Sequence, residues 1–355
     1  MYLRKTTRQV KIGNKLMGGG ADVLIQSMLN VPAHDFEGNI AQAKALEAAG
    51  CEIIRVSVPD IETVKLIPLL KDAVSVPIVA DIHFDHRLAL ESVAAGVDKV
   101  RINPGNIGEE QNVKKVADAC RCAGVPIRIG VNSGSVEKGI LAKHGGPTPA
   151  ALVESGKYHI SLLEKYDFND IVLSLKSSDT QTMYDTYVLA AETVPYPLHL
   201  GVTEAGTEYS GIIKNSIGIG SLLCDGIGDT LRVSLTADPV REVYAGREIL
   251  KAMGLTKEGI NIIACPTCGR TKIDLIGLAE RFREASASID TKGKWVNVAI
   301  MGCVVNGPGE AREADFGIAG GDGFAVLFKD GKTLGRVEED AVVETLIAET
   351  LKFIG

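Results

Sequence analysis

The stretch IVADIHFDHRLALESVAAGVDKVRINPGN, residues Ile78–Asn106, holds one full unit of the pattern that decides the fold. Ile78–Asp81 is a short apolar run that ends in a carboxylate, with His83 two residues on. Leu88–Ala95 places apolar residues at helical spacing, and Gly96 follows as a left-handed helix end. Lys99–Ile102 is a second β-branched run, closed by Asn103-Pro104-Gly105-Asn106. Strand, helix and returning strand within this length describe a βαβ unit with parallel strands.

The same unit recurs on both sides. Strands are expected at Val23–Gln26, Ile53–Val56, Ile78–Asp81, Lys99–Ile102, Ile127–Val131, Ile171–Leu175, Leu198–Val202 and Leu231–Leu235. Helical stretches such as Ile40–Ala49 and Val113–Ala123 lie between them, several ending in Ala-Gly. This is the pattern of an α/β fold, a (β/α)8 TIM-type barrel, which typically takes ~250 residues. An open doubly wound sheet competes, but no G-x-G-x-x-G follows the first strand, and Gly218-Ile219-Gly220 is too short to count. Asp238–Met253 reads as a connecting helix, which puts the barrel at residues 1–253. Residues 254–355 read as a small α+β domain, with strands at Ile260–Ala264, Trp295–Met301 and Phe324–Lys329 and helices at Ile273–Ser286 and Glu339–Phe353.

Composition narrows the function classes. The 355 residues exceed one average domain, and 45% hydrophobic with 23% charged residues is globular. A net charge of −7 argues against a general nucleic-acid binder. No apolar run is long enough for a membrane span. The start, Met1–Val10, is basic with no apolar segment behind it, so the expected location is cytoplasmic. Seven cysteines, an odd number, suit reduced thiols and metal ligation better than disulfides. Of these, Cys51, Cys120, Cys122 and Cys224 are expected to be packing residues.

In a barrel the active site sits at the C-terminal strand ends. Those ends here carry Arg55, Asp81, His83, Arg101, Asn103, Arg128, Asn132 and Lys176. Three arginines and a lysine at one mouth call for a polyanion, since guanidinium forks bind phosphate oxygens in pairs and lysine adds a point charge. Structural ion pairs within the barrel are the plainer alternative. Asp81 and His83 are two residues apart, weak evidence for a metal, and His83 reads better as a phosphate donor. Arg232 has the alternative of turning toward the helix layer. Glu204, on the Gly-flanked loop Gly201–Thr207, suits general acid–base work, with an ordinary surface-loop glutamate as the equal alternative.

Two further segments carry metal chemistry: Cys265-Pro266-Thr267-Cys268 and Met301-Gly302-Cys303. A fourth thiolate is missing from this region. Zinc would want another Cys or His, and no His follows His199. A redox pair would leave Cys303 idle. A [4Fe–4S] cluster on three cysteines with an oxygen ligand uses all three thiols, and Glu310 is the next carboxylate, beyond Gly307-Pro308-Gly309. An oxygen ligand is the weaker one on iron and can give way to substrate, which gives Glu310 a catalytic as well as a ligating part.

With these segments in view, the chain closely resembles the bacterial 4-hydroxy-3-methylbut-2-enyl diphosphate synthases of the methylerythritol phosphate isoprenoid pathway. The resemblance rests on both cysteine segments, extended to Arg270 and Asp315, on Val100–Asn106, Gly130–Gly134, Leu200–Thr207 and Asp225–Thr230, and it covers nearly the whole chain. It weakens at Val31-Pro32-Ala33-His34, where relatives carry a Thr-rich stretch. The resemblance implies a barrel followed by an iron–sulfur domain, with a [4Fe–4S] cluster on Cys265, Cys268, Cys303 and Glu310. It implies 2-C-methyl-D-erythritol 2,4-cyclodiphosphate as substrate, opened reductively by two electrons with loss of water. It also implies ferredoxin or flavodoxin as electron donor, and a homodimer in which the cluster domain of one subunit closes over the partner's barrel.

Overall fold

A computed structural model of the chain describes residues 4–103, 105–256, 258–287, 289–304, 311 and 313–355. These split after Leu255 into two compact units. In the first, eight parallel strands form one sheet: β3 (Leu24–Met28), β4 (Ile53–Ser57), β5 (Ile78–Asp81), β6 (Lys99–Ile102), β7 (Ile127–Asn132), β8 (Ile171–Lys176), β9 (His199–Leu200) and β10 (Thr230–Leu231). β10 pairs with both β9 and β3, and a parallel bridge from Leu173 to Leu198 joins β8 to β9, so the barrel closes.

The helices follow the strands: α1 (Phe36–Ala48), α2 (Leu66–Ala73), α3 (His86–Ala94), α4 (Glu110–Ala123), α5 (Lys138–His144), α6 (Pro149–Glu164), α7 (Thr180–Thr193), α8 (Glu208–Cys224) and α9 (Pro239–Ala252). Aspartates cap several of them. Asp35, Asp85, Asp179 and Asp238 each accept a backbone N–H from the first turn, the interaction that makes such residues favoured helix starts. Outward residues such as Ile54, Val56, Ala80, Val100 and Ile129 bury against the helices as the main core. Helix α9, expected only as a connector, is the barrel's eighth helix and packs its Ile249 and Leu250 into that core.

The last two barrel strands are shorter than expected. Beyond Leu200 and Leu231 the chain stays extended but its bonds are isolated: Arg232 N–H donates to Leu200 O at 3.0 Å and Thr203 N–H to Ser177 O at 3.2 Å. The runs Leu198–Val202 and Leu231–Leu235 thus continue past the paired strands without a ladder.

Before the barrel, β1 (Val10–Ile12) and β2 (Lys15–Met17) form an antiparallel hairpin. Val10, Ile12 and Met17 bury against Leu24, Ile53, Val79 and Val172, the inward residues at the N-terminal strand ends. The hairpin therefore plugs the barrel floor.

The second unit is a mixed five-stranded sheet: β11 (Gly259–Ala264), β12 (Trp295–Met301), β13 (Phe316–Gly320), β14 (Phe324–Lys329) and β15 (Lys332–Glu338). The first three strands run parallel, and β14 and β15 are antiparallel additions. Helices α10 (Leu275–Ser286) and α11 (Val342–Ile354) place Leu278, Phe282 and Leu346 on one face, against Val298, Ile300 and Ile318. The alternate residues Ala299, Met301 and Ala319 form a small second cluster with Phe328, against which Cys265 rests. β13 and β15 were not foreseen from sequence.

Candidate active site

Side chains alternate across each barrel strand, so every second residue points inward. On β6 this puts Lys99, Arg101 and Asn103 inside; on β7, Arg128, Gly130 and Asn132; on β8, Ser174 and Lys176. The register sets Asp81 beside Arg101, Arg101 beside Arg128 and Asn132 beside Lys176. The cationic strand ends read from sequence thus share one interior.

Asp81 is the hub. Its Oδ1 accepts from Arg101 Nη1 at 3.0 Å, and its Oδ2 lies 3.6 Å from Arg55 Nε and 3.5 Å from His83 Nε2. Burial alone would raise its pKa. The opposing pull of Arg55, the His83 hydrogen bond, Arg101 and Arg128 is larger and holds the carboxyl far below the usual range. Arg55 also sets Nε and Nη2 against Met28 Sδ at 3.0 and 2.7 Å. Its pKa falls to about 10, chiefly through burial, with Asp81 working against the fall. Burial first, and neighbouring guanidinium groups second, push Arg128 and Lys176 well below their ordinary values. Glu242 also acts on Arg55 and Lys176 but is engaged by Arg232, so the cations outnumber the carboxylates in this interior.

Two glycines make room for these cations. A Cβ at Gly130 would stand 2.6 Å from Arg101 Nε, and one at Gly201 would stand 2.9 Å from Lys176 Nζ. Any other residue would displace those cations.

The remaining predicted residues are spread more widely. Asn103 is buried, its Oδ1 accepting from Gly105 N–H at 3.1 Å. Asn132 shapes the loop after β7, its N–H donating to Ser135 Oγ at 2.9 Å. His83 is more than half exposed at the rim. Glu204 is exposed and holds φ at +53°, a left-handed conformation rare for a residue with a side chain and of a kind that clusters at active sites. Arg232 turns to α9 and makes a two-pronged pair with Glu242, both contacts at 3.1 Å. Glu242 also accepts from Ser27 Oγ at 2.8 Å and from Leu235 N–H at 3.1 Å. In the divergent loop, His34 pairs on the surface with Asp60 at 3.1 Å.

In the second unit, β11 and β12 end side by side, with Ala264 paired to Ile300. Cys265 and Cys303 follow at that shared edge. Gly302 N–H donates to Cys265 Sγ at 3.3 Å. Lys272 N–H donates to Gly302 O at 3.0 Å and folds the Cys265–Thr271 loop back over this edge. Cys268 is exposed, and its thiol pKa is lowered first by the backbone N–H and then by the side chain of Arg270. Among the described residues no three His, Cys, Asp or Glu side chains converge closely enough to hold a metal ion. Glu310 lies outside the described residues. The donor set itself suits iron–sulfur ligation: three free thiols on loops at one edge, one accepting a backbone N–H and one with a depressed pKa. Of the other cysteines, Cys51 and Cys120 are buried, with pKa values pushed up to about 12 by burial. Cys122 and Cys224 are exposed, which corrects the expectation that all four pack inside. Both sit near helix ends, where helical periodicity marks the inner face least clearly.

A family profile described as the GcpE TIM-barrel domain matches residues 7–247, and one described as the GcpE protein C-terminal domain matches residues 261–352. The chain belongs to the GcpE family. Among curated GcpE relatives, a 4-hydroxy-3-methylbut-2-en-1-yl diphosphate synthase (flavodoxin) of Caldanaerobacter subterraneus subsp. tengcongensis is 56% identical over 352 residues, 99% of this chain and 98% of the relative. One of the same name from Fusobacterium nucleatum subsp. nucleatum is 54% identical over 344 residues, 97% of this chain and 96% of the relative. Among solved structures, a dihydropteroate synthase from Stenotrophomonas maltophilia superposes with TM-score 0.52 at 14% identity, over 70% of this chain and 97% of that one. A Yersinia pestis dihydropteroate synthase in a sulfonamide drug complex gives 0.50 at 11%, over 70% of this chain and 99% of that one. At such identities the likeness speaks for the barrel fold alone. No helix among the described residues is long and apolar enough to cross a membrane.

Sequence reasoning missed several residues in this GcpE barrel. Lys99 lies inside, fully buried; the two-residue steps from Lys99 to Arg101 to Asn103 were the available signal. His199 and Gln26 are also interior and buried. Glu242 carried no local sign, because Ser27 is remote in sequence and Arg232, ten residues before it, meets it only when α9 packs on the barrel.

Proposed function

We propose that the chain reduces 2-C-methyl-D-erythritol 2,4-cyclodiphosphate to 4-hydroxy-3-methylbut-2-enyl diphosphate. The observation that carries this reading is the interior cluster of Arg55, Arg101, Arg128 and Lys176, in which Asp81 is the carboxylate in contact and the nearby Glu242 is engaged by Arg232. A cyclic diphosphate supplies the negative charge that this cluster lacks. Arg55, Arg101, Arg128 and Lys176 hold its phosphate oxygens, with His83 at the rim and Asn103 and Asn132 as further donors. Asp81 positions Arg55 and Arg101 and keeps His83 turned inward. When the ring C–O bond breaks, charge grows on the departing phosphate oxygen, and the same guanidinium groups stabilise it. A hydroxyl leaves as water, which takes one proton, and Glu204 delivers it.

Cys265, Cys268 and Cys303, with Glu310, would hold a [4Fe–4S] cluster, which when bound supplies the two electrons singly and offers an iron Lewis acid. Flavodoxin, specified in the relatives' names, or ferredoxin is the donor, and the enzyme works in the cytoplasm as a homodimer. Protein purified without oxygen is expected to be brown, with about four irons per chain, and to convert the cyclic diphosphate when given reduced flavodoxin. Glu204→Gln should keep substrate affinity and lose kcat. A colourless, zinc-loaded protein without turnover would overturn the reading.

The buried, neutral-leaning Lys176 also favours one alternative, a Schiff-base lyase on the same barrel. Borohydride trapping of an adduct at Lys176 would select it.

A further inference from the structure

We infer that the lower barrel interior, beneath Arg55 and Arg101, binds one small inorganic anion of the halide class, with Arg128 shared between this site and the phosphate site proposed above it. A barrel of this kind is normally filled with Val, Ile and Leu. Here Lys99 and Thr230 stand at the level of Ile53 and Val172, and Gln26, Arg128 and His199 stand one level higher. All five are buried. Eight of their polar atoms have no hydrogen-bond partner among the described residues: Lys99 Nζ, Thr230 Oγ1, both amide atoms of Gln26, both ring nitrogens of His199, and Nε and Nη2 of Arg128. One such atom left unpaired costs about 1–3 kcal/mol, so eight together point to an occupant.

The chemistry of the set selects it. Lys99 Nζ, both Arg128 nitrogens, Gln26 Nε2, Thr230 Oγ1 and one ring nitrogen of His199 can donate, and only Gln26 Oε1 and the other His199 nitrogen are acceptors, free to pair with a donor of the same set. The charges that act on Lys99 are Arg128 and Arg55, and those that act on His199 are Arg128, Lys176, Lys99 and Arg55, all cations. Water would satisfy the donors without offsetting this charge, whereas an anion does both. The carboxylate that acts on Arg128, Asp81, is already committed to Arg55 and Arg101. Below, Leu24 and the hairpin residues Val10, Ile12 and Met17 close the floor. The ligand must therefore be small and enter from the mouth. Without it, burial and the adjacent guanidinium groups push Lys99 toward its neutral form.

Crystals of the full-length holoenzyme soaked in bromide, with inorganic diphosphate present to fill the mouth, test this directly. An anomalous peak within hydrogen-bonding reach of both Lys99 Nζ and the Arg128 guanidinium is expected. At fixed ionic strength, Tm should be a few degrees higher in chloride than in gluconate, and Lys99→Met should abolish the difference. Should that variant fail to fold, the wild-type bromide map decides alone. A map with only water at this level, or a peak confined to the mouth and displaced by diphosphate, would overturn the inference.

Discussion

Asp81 shows how one side chain can govern a site. It is buried among cations and held far below the usual carboxylate range. Breaking a buried pair by removing one partner costs about 3–5 kcal/mol, so Asp81→Asn should lose stability of that order at neutral pH. The sign of the pH dependence follows from the depressed pKa. The unfolded chain binds the proton first as pH falls, so the Asp81 contribution is fully present above about pH 4 and fades as pH drops through the lower folded value. Urea titrations of wild type and Asp81→Asn should converge on acidification; a constant gap would refute the assignment. Cys268 offers a second test. With its pKa lowered by Arg270, it should react with iodoacetamide before the buried Cys120 in cluster-free protein, and Arg270→Gln should slow it. Equal labelling of Cys268 and Cys120, read by mass spectrometry, would count against this.

Among the elements, the β1–β2 hairpin is the least obvious contributor. It is short and lies outside the βαβ pattern, yet it supplies Val10, Ile12 and Met17 to the barrel floor. Ile12→Ala should cost about 2–5 kcal/mol, as for other buried large-to-small changes, and should leave KM for the cyclic diphosphate unchanged. A loss of affinity without a loss of stability would mean that the floor is not its role. β15 carries a different lesson. Its residues are mostly exposed, so no apolar alternation announced it. Its signal was Asp330-Gly331, both at positive φ, the turn that joins it to β14. The apolar runs, in contrast, placed β5, β6 and β12 at their observed bounds.

At the scale of the molecule there are two separate cores, one in the barrel and one between the sheet and helices of the second unit. Such a chain need not unfold in one step. Calorimetry is expected to resolve two transitions. Chelating the iron of the proposed cluster should lower the one belonging to the unit that begins at Thr256, because metal binding by its cysteines is folding free energy, while the barrel transition stays in place. A single transition that shifts as a whole would contradict this.

Fold class was legible because a βαβ unit is a local signal: strand, helix and glycine cap each declare themselves within a few residues. The arginines of the mouth were legible because strand ends in a barrel converge whatever the sequence between them. Partnership was a matter for the tertiary structure. Strand register brought Asp81 between Arg55 and Arg101, and the packing of α9 on the barrel carried Glu242 to Ser27. Each of these contacts joins residues distant in the chain, and burial, which gives a charge its consequence, exists only once the barrel has closed.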